Sequence, residues 1–288
     1  MLEPENGRRP VHRAGFTYLP RFIEPRELEG LIAYFAAIRP LWEQRHRDGQ
    51  AARAVDHGRR LTRPVYWLGA WQFACLGYYA EPDHRENRCV RAEAFPAVMQ
   101  DVLERLRPIL EANHCENGDG RPVELPNTCL INYYGREVGL GTPVDYARLR
   151  MHRDREPGPV VMFSVGQPGL LEFLDPAHPK EPELGVWTRH GSVTVLSGPD
   201  YKDRLYHRVS RVRTGRDPVM RVEIPNFELR RVSVSFRSVP PRFIRDFGEL
   251  PIALQDQVRD YMEELARDSA HFRRQSWRPE RVAEAREN

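Results

Sequence analysis

The stretch Arg231-Val232-Ser233-Val234-Ser235-Phe236-Arg237 carries polar residues at every odd position and apolar residues between them. Side chains along a strand alternate between its two faces. Arg231, Ser233, Ser235 and Arg237 therefore share one face, and Val232, Val234 and Phe236 the other. If the apolar face packs on a core, the polar face lies on solvent or on a cavity. Two guanidinium groups in a cavity need anions to pair with. A small dicarboxylate would satisfy both, because arginine offers a planar two-pronged fork to each carboxylate.

Outward from this stretch, the chain after Gly118-Asp119-Gly120 consists of short β-branched and aromatic runs broken by Gly and Pro. The runs 128–134, 160–165, 170–174, 192–196, 205–209, 220–224 and 230–238 read as strands. No helical pattern separates them, which points to an antiparallel sandwich or jelly roll and away from a parallel α/β sheet. Helical spacing appears on either side. Leu28, Leu31, Ile32, Phe35 and Ile38 predict a helix over 24–38, with Pro25 suited to its first turn. Val98, Val102, Leu103, Leu106 and Leu110 predict a second over 95–113. Leu254, Val258, Tyr261, Met262 and Leu265 predict a third in the tail. The expected organisation is a flexible start (1–15), N-terminal helices with a substrate-recognition segment (16–126), a β core (127–240) and a C-terminal helical extension (241–288).

Composition bounds the function. Of 288 residues, 44 are Lys or Arg against 41 Asp or Glu, a net charge of +3. Only Lys180 and Lys202 are lysines. So small an excess excludes a polybasic protein while allowing a locally basic groove. No stretch approaches the roughly 18 apolar residues of a membrane span, and the charged N-terminus lacks the apolar core of a secretory signal. Cys75, Cys89, Cys115 and Cys129 show no CxxC spacing, so a zinc ribbon or thioredoxin-like site is not expected. Sparse cysteines fit reduced thiols in a cytoplasm, and a soluble, monomeric cytoplasmic protein is the expectation.

His152-Arg153-Asp154 can place an imidazole and a carboxylate on one side of an extended segment as two ligands of one metal. A distant histidine would complete a two-His-one-carboxylate triad, which leaves positions open for substrate, cosubstrate and dioxygen on Fe(II). The same tripeptide occurs at His46-Arg47-Asp48, in a charged segment read as a solvated loop. The second copy lies in the β-rich half, where alternation puts Leu205, His207 and Val209 on one inward face. His207 is therefore the expected third ligand, with His190 the rival. Upstream, Asn132 and Tyr134 share a strand face and could hydrogen-bond the same anion as the arginines.

In order, these pieces are Asn-x-Tyr, Leu-x-x-His-x-Asp, His and Arg-x-Ser-x-Ser-Phe-Arg, with Gly135 after the first and Arg189-His190-Gly191 before an apolar strand. Their arrangement resembles the AlkB family of Fe(II)- and 2-oxoglutarate-dependent dioxygenases, from about residue 16 to 238. The resemblance implies an α+β fold with a double-stranded β-helix (jelly-roll) core. It implies Fe(II) on His152, Asp154 and His207, with 2-oxoglutarate and O2 as cosubstrates. Arg231, helped by Tyr134, would hold the distal carboxylate; Arg237 and Asn132 would lie near the chelating one. Ser233 stands where the family often has Asn. Glu156 stands where an acidic residue often contacts the target base.

The segment Trp71-Gln-Phe-Ala-Cys-Leu-Gly-Tyr78 resembles the nucleotide-recognition lid of bacterial AlkB proteins. Trp71 would stack on a flipped base and Tyr78 would reach its phosphate. Arg63, Arg85, Arg88 and Arg91 nearby read as a solvated face able to meet phosphates. The implied activity is oxidative demethylation of N-alkylated nucleobases in DNA or RNA. Two alternatives stand beside it: a hydroxylase of a small metabolite, modified nucleoside or protein side chain on the same scaffold, and a non-catalytic jelly-roll binding module.

Overall fold

The computed structural model describes residues 7–42, 44–45, 59–60, 63–72, 89–117, 124–139, 143–154, 156, 158–215 and 220–275. The chain opens with β1 (Val11–Arg13), β2 (Phe16–Leu19) and α1 (Pro25–Ala37), then β3 (Gln44–Arg45), β4 (Arg59–Arg60), β5 (Val65–Leu68), β6 (Ala70–Gln72) and β7 (Cys89–Arg91). Helix α2 (Ala97–Asn117) precedes the β-rich stretch: β8 (Thr128–Glu137), β9 (Val144–Asp145), β10 (Leu149–His152), β11 (Val160–Gly166), β12 (Gly169–Leu174), β13 (Leu184–Thr188), β14 (Ser192–Leu196), β15 (Tyr206–Val212) and β16 (Phe227–Arg237). After it come β17 (Ile244–Arg245), α3 (Ile252–Asp268) and α4 (Ala270–Gln275).

The chain divides into two compact units. The larger holds Met1–Trp42, Thr62–Tyr66 and Phe95–Val239; the smaller holds Glu43–Leu61, Trp67–Ala94 and Pro240–Asn288. The larger unit is a jelly roll of two antiparallel sheets with helices. Its major sheet runs β1-β2-β14-β11-β16-β8-β5, and its minor sheet β10-β15-β12-β13. Between the sheets lie Phe16, Tyr18, Leu171, Phe173, Leu196, Tyr201 and Val209, among others. On the opposite face of the major sheet, Val232, Val234 and Phe236 are wholly buried, and Phe236 meets Phe163 and Phe95 at ring-centroid distances of 4.6 and 5.4 Å. Both faces of β16 are therefore enclosed over residues 231–237, so the polar face there does not lie on solvent.

Helix α1 begins at a capping box in which the Glu24 and Glu27 side chains answer each other's orphan amides, with Pro25 in the first turn. Its Leu31 and Phe35 are fully buried. Three differences from the sequence expectation follow. The run 220–224 is not a strand and contributes only a bridge from Ile224 to Phe227, although Met220, Val222 and Ile224 are buried. Strand β13, Leu-Gly-Val-Trp-Thr, carries no polar alternation, and all five of its residues are buried. Strand β1 lies within the polar start of the chain and is ordered by its pairing with β2.

In the smaller unit β7 pairs antiparallel with β6 and parallel with β17. Trp71 is 1% exposed and its ring meets Tyr261 of α3 edge-on at 6.1 Å. Among the described residues no helix is long and apolar enough to cross a membrane.

Candidate active site

Strand pairing assembles the site. Register places Arg231 opposite Tyr134 and Ser233 opposite Asn132 on β8, while on β11 Ser233 faces Ser164 and Arg231 faces Gly166. Paired residues on neighbouring strands point to the same side. The polar face of β16 thus joins Asn132, Tyr134 and Ser164 in one lining. In the minor sheet, β10 and β15 pair with His152 directly opposite His207, so two histidines far apart in sequence have ring centroids 4.3 Å apart.

His152, Asp154 and His207 have donor atoms within 4.8 Å of one another, and no other such group of His, Cys, Asp or Glu occurs among the described residues. His207 Nε2 is 3.5 Å from Asp154 Oδ2. Asp154 is buried, and its Oδ2 accepts no hydrogen bond. A buried carboxylate oxygen left without a donor lacks the compensation that such atoms ordinarily have; a cation between it and the two imidazoles supplies it. The N,N,O donor set suits Fe(II). Burial drives the pKa of the His207 imidazole down to about 3, reinforced by His152 and opposed by Asp154. The ring is therefore neutral at physiological pH, as a metal ligand must be. Burial also works against the charge on Asp154, but the Arg237 guanidinium, with the neighbouring histidines and Lys202, holds its carboxyl well below the usual range.

The two arginines have different partners. Arg237 donates from Nε to Asp154 Oδ1 at 2.9 Å, has NH2 2.8 Å from the same oxygen, and has Nε 3.8 Å from Glu156 Oε2. Its anion is thus internal, and it does not depend on a ligand carboxylate as the strand pattern alone led one to expect. Arg231 has no such acid among the described residues. Its NH1 donates to the carbonyls of Gln167 and Thr188 at 3.2 and 3.0 Å; its NH2 donates to the hydroxyls of Ser164 and Thr188 at 2.7 and 2.8 Å. The Nε has no acceptor. Arg231 is 2% exposed, and burial pulls its pKa down to about 10, offset in part by Tyr134 and Tyr18. It remains charged at neutral pH, held by neutral acceptors only. A carboxylate-bearing ligand would balance that charge. Gly169 makes room for the group, since a Cβ there would lie 3.0 Å from Nε.

Glu156 is buried, its carbonyl accepting from Lys202 Nζ at 2.9 Å. Ser233 and Asn132 are buried within the same lining. His190, the rival third ligand, is not in the cluster; its Nδ1 accepts from the Gly166 amide at 3.1 Å. Tyr78, His46 and Asp48 lie outside the described residues, as do Arg85 and Arg88. Trp71 has the packing of a core tryptophan within the smaller unit.

Two residues escape the sequence reading. Arg63, grouped there with solvated arginines, is buried: it donates to Asn132 Oδ1 at 3.3 Å and to the Arg148 carbonyl at 2.6 Å, and lies 4.8 Å over the Tyr134 ring. No local pattern marks it; the Tyr133 amide bonding to the Pro64 carbonyl sets its place. Lys202 is also buried. Its one signal was rarity, one of two lysines among 44 basic residues.

The family model of the 2OG-Fe(II) oxygenase superfamily matches residues 15–237. Among solved structures, OsALKBH1 is similar with a TM-score of 0.52 at 18% identity, covering 79% of this chain and 100% of that one. An oxidoreductase of the 2OG-Fe(II) oxygenase family from Burkholderia pseudomallei aligns with a TM-score of 0.45 at 16% identity, covering 78% and 85%. A full-length Neurospora crassa protein in complex with alpha-KG aligns at 0.44 and 13%, covering 80% of each. No curated protein sequence matches the chain. The likeness to OsALKBH1 is one of fold. The family match spans most of the chain and takes in every residue of the converging cluster, and on it the chain belongs to the 2OG-Fe(II) oxygenases, enzymes that use Fe(II), 2-oxoglutarate and O2.

Proposed function

We propose that this oxygenase demethylates N-alkylated nucleobases, with His152, Asp154 and His207 holding the iron and Arg231 holding the distal carboxylate of 2-oxoglutarate. The observation that carries the cosubstrate assignment is the buried, acid-free guanidinium of Arg231 on the same lining as Asn132, Tyr134 and Ser233. Arg237 keeps Asp154 ionised and fixes one of its oxygens, leaving Oδ2 to the metal. Arg63 orients Asn132 and covers the Tyr134 ring.

In this chemistry 2-oxoglutarate is oxidised by O2 to succinate and CO2 while one oxygen atom enters a substrate C–H bond. On an N-methyl group the hydroxymethyl product collapses to formaldehyde and the free amine. The nucleobase reading is supported by the AlkB-like motifs, by the fold shared with OsALKBH1, and by Glu156, a buried acid two residues past Asp154. A hydroxylase of a smaller substrate is the second reading, favoured by the burial of Trp71, which takes away the expected stacking platform.

The test is formaldehyde release, coupled to succinate, from oligonucleotides carrying 1-methyladenine or 3-methylcytosine. Stoichiometric formaldehyde supports demethylation. Succinate formed without formaldehyde on methylated DNA and RNA rejects it in favour of the hydroxylase.

A further inference from the structure

A cavity of about 420 Å³ in the larger unit has Arg8, Arg21, Arg189 and His190 among its lining residues, and no acidic residue lines it among the described residues. Arg8 and Arg21 have no ion-pair or hydrogen-bond partner among the described residues. The His190 ring extends the same character: Nδ1 accepts from the Gly166 amide, so in the neutral ring the proton is on Nε2, a donor. Burial lowers the pKa of His190 and favours that neutral form. All four side chains therefore offer N–H groups, and three carry full positive charge.

The backbone is also unusual here. Arg21 has φ of +56°, and Gly7 and Gly166, both lining residues, have φ of +116° and +96°. Glycine adopts such angles freely, whereas arginine does so at a cost that a fold retains where the position serves a purpose. Arg8 and Arg21, both exposed and without a partner among the described residues, set like charge against each other beside this cavity, and an anion between them relieves that repulsion. Phosphate suits them, with several acceptor oxygens and a charge near −2 for guanidinium forks to grip. The volume is large enough for a nucleotide.

We propose that this cavity is a phosphate-binding site separate from the 2-oxoglutarate pocket, with Arg8, Arg21, Arg189 and the Nε2–H of His190 as its donors. It shares a wall with the cosubstrate site. The turns 166–168 and 188–190 contribute lining residues to the cavity, and from the same turns Gln167 and Thr188 supply carbonyls to Arg231. The phosphate comes from a free nucleotide or from a nucleic-acid backbone.

The experiment is calorimetric titration of the full chain, loaded with Mn(II) and saturating 2-oxoglutarate, with inorganic phosphate, adenosine 5′-monophosphate and a short unmodified thymidine oligonucleotide. Binding of phosphate or of either phosphate ester is expected, weakened about tenfold or more by Arg21→Gly. That substitution suits the left-handed backbone, so the variant should melt no lower than the parent. Tighter binding of the monophosphate marks a free ligand, and tighter binding of the oligonucleotide marks a backbone; either supports the site. Silence with all three probes overturns it, as does full affinity in Arg21→Gly. Loss of binding only when 2-oxoglutarate is saturating also overturns it, because the anion then sits on Arg231.

Discussion

The two ends of the polar run 231–237 in β16 present the same side chain in opposite electrostatic settings. At one end Arg237 is closed into a network with Asp154, and Glu156 lies nearby. At the other, Arg231 is as deeply buried but meets only carbonyls and hydroxyls. The first guanidinium is part of the folded protein's own charge balance; the second has none from an acid among the described residues, and in the proposed function 2-oxoglutarate supplies it. Burial of an arginine is therefore no guide to its role. What matters is whether its counter-charge is supplied by the chain.

This contrast can be broken at either end. Removing the proposed metal oxygen with Asp154→Ala should lower metal-dependent succinate production by about a thousandfold, measured as single-turnover rate against Fe(II) concentration. Arg231→Met should weaken 2-oxoglutarate binding by about a hundredfold. Because it removes a buried charge without an acid partner, it should leave the ligand-free melting temperature unchanged or raised. Arg237→Met should act the other way. It strands Asp154 and should cost about 3–5 kcal/mol in urea unfolding, the cost of breaking a buried pair from one side; a loss under about 1 kcal/mol would erase the distinction between the two ends. Gly169→Ala pushes a methyl against Arg231 Nε. It should raise KM for 2-oxoglutarate about tenfold with kcat little changed.

The smallest effect is one of pH on the metal-free protein. His207 titrates at about 3 when folded, against 6.5 for the free side chain. Between those values the unfolded chain binds the extra proton, so stability falls as pH is lowered from 6.5 toward 3. Asp154, held low, adds loss in the same direction once its unfolded form protonates. Urea midpoints from about pH 7 to about pH 4 should decline, and His207→Gln should flatten the upper part of that decline.

Much of the architecture was legible because strands with one polar face announce themselves. Ser192–Leu196 has the bounds that its residues predict, and the strands at 128 and 160 differ only at their far ends. Leu184–Thr188 went unread because Leu-Gly-Val-Trp-Thr carries no polar alternation, whereas the equally buried Ser192–Leu196 keeps hydroxyls at 192 and 194; 220–224 misled because apolar residues can be buried without pairing. Within the candidate site, the convergence of His152, Asp154 and His207 was readable from spacing and strand face. Arg63 was not, because its placement depends on one backbone bond between segments far apart. Trp71 shows the converse: an aromatic segment marks a ring-rich place but not whether the ring faces a core or a ligand.

By itself the sequence determined which residues share a face, since a two-residue period is a local property of an extended chain. It thereby determined the polar lining of β16 and the family to which that lining points. Tertiary structure decided what each member of the lining meets. Pairing of β10 with β15 set His152 against His207, and closure of the two sheets gave Arg237 to Asp154 while leaving Arg231 without an acid. Those outcomes depend on the register between distant strands and on burial, which decide whether a charge is answered from within the fold or from a ligand.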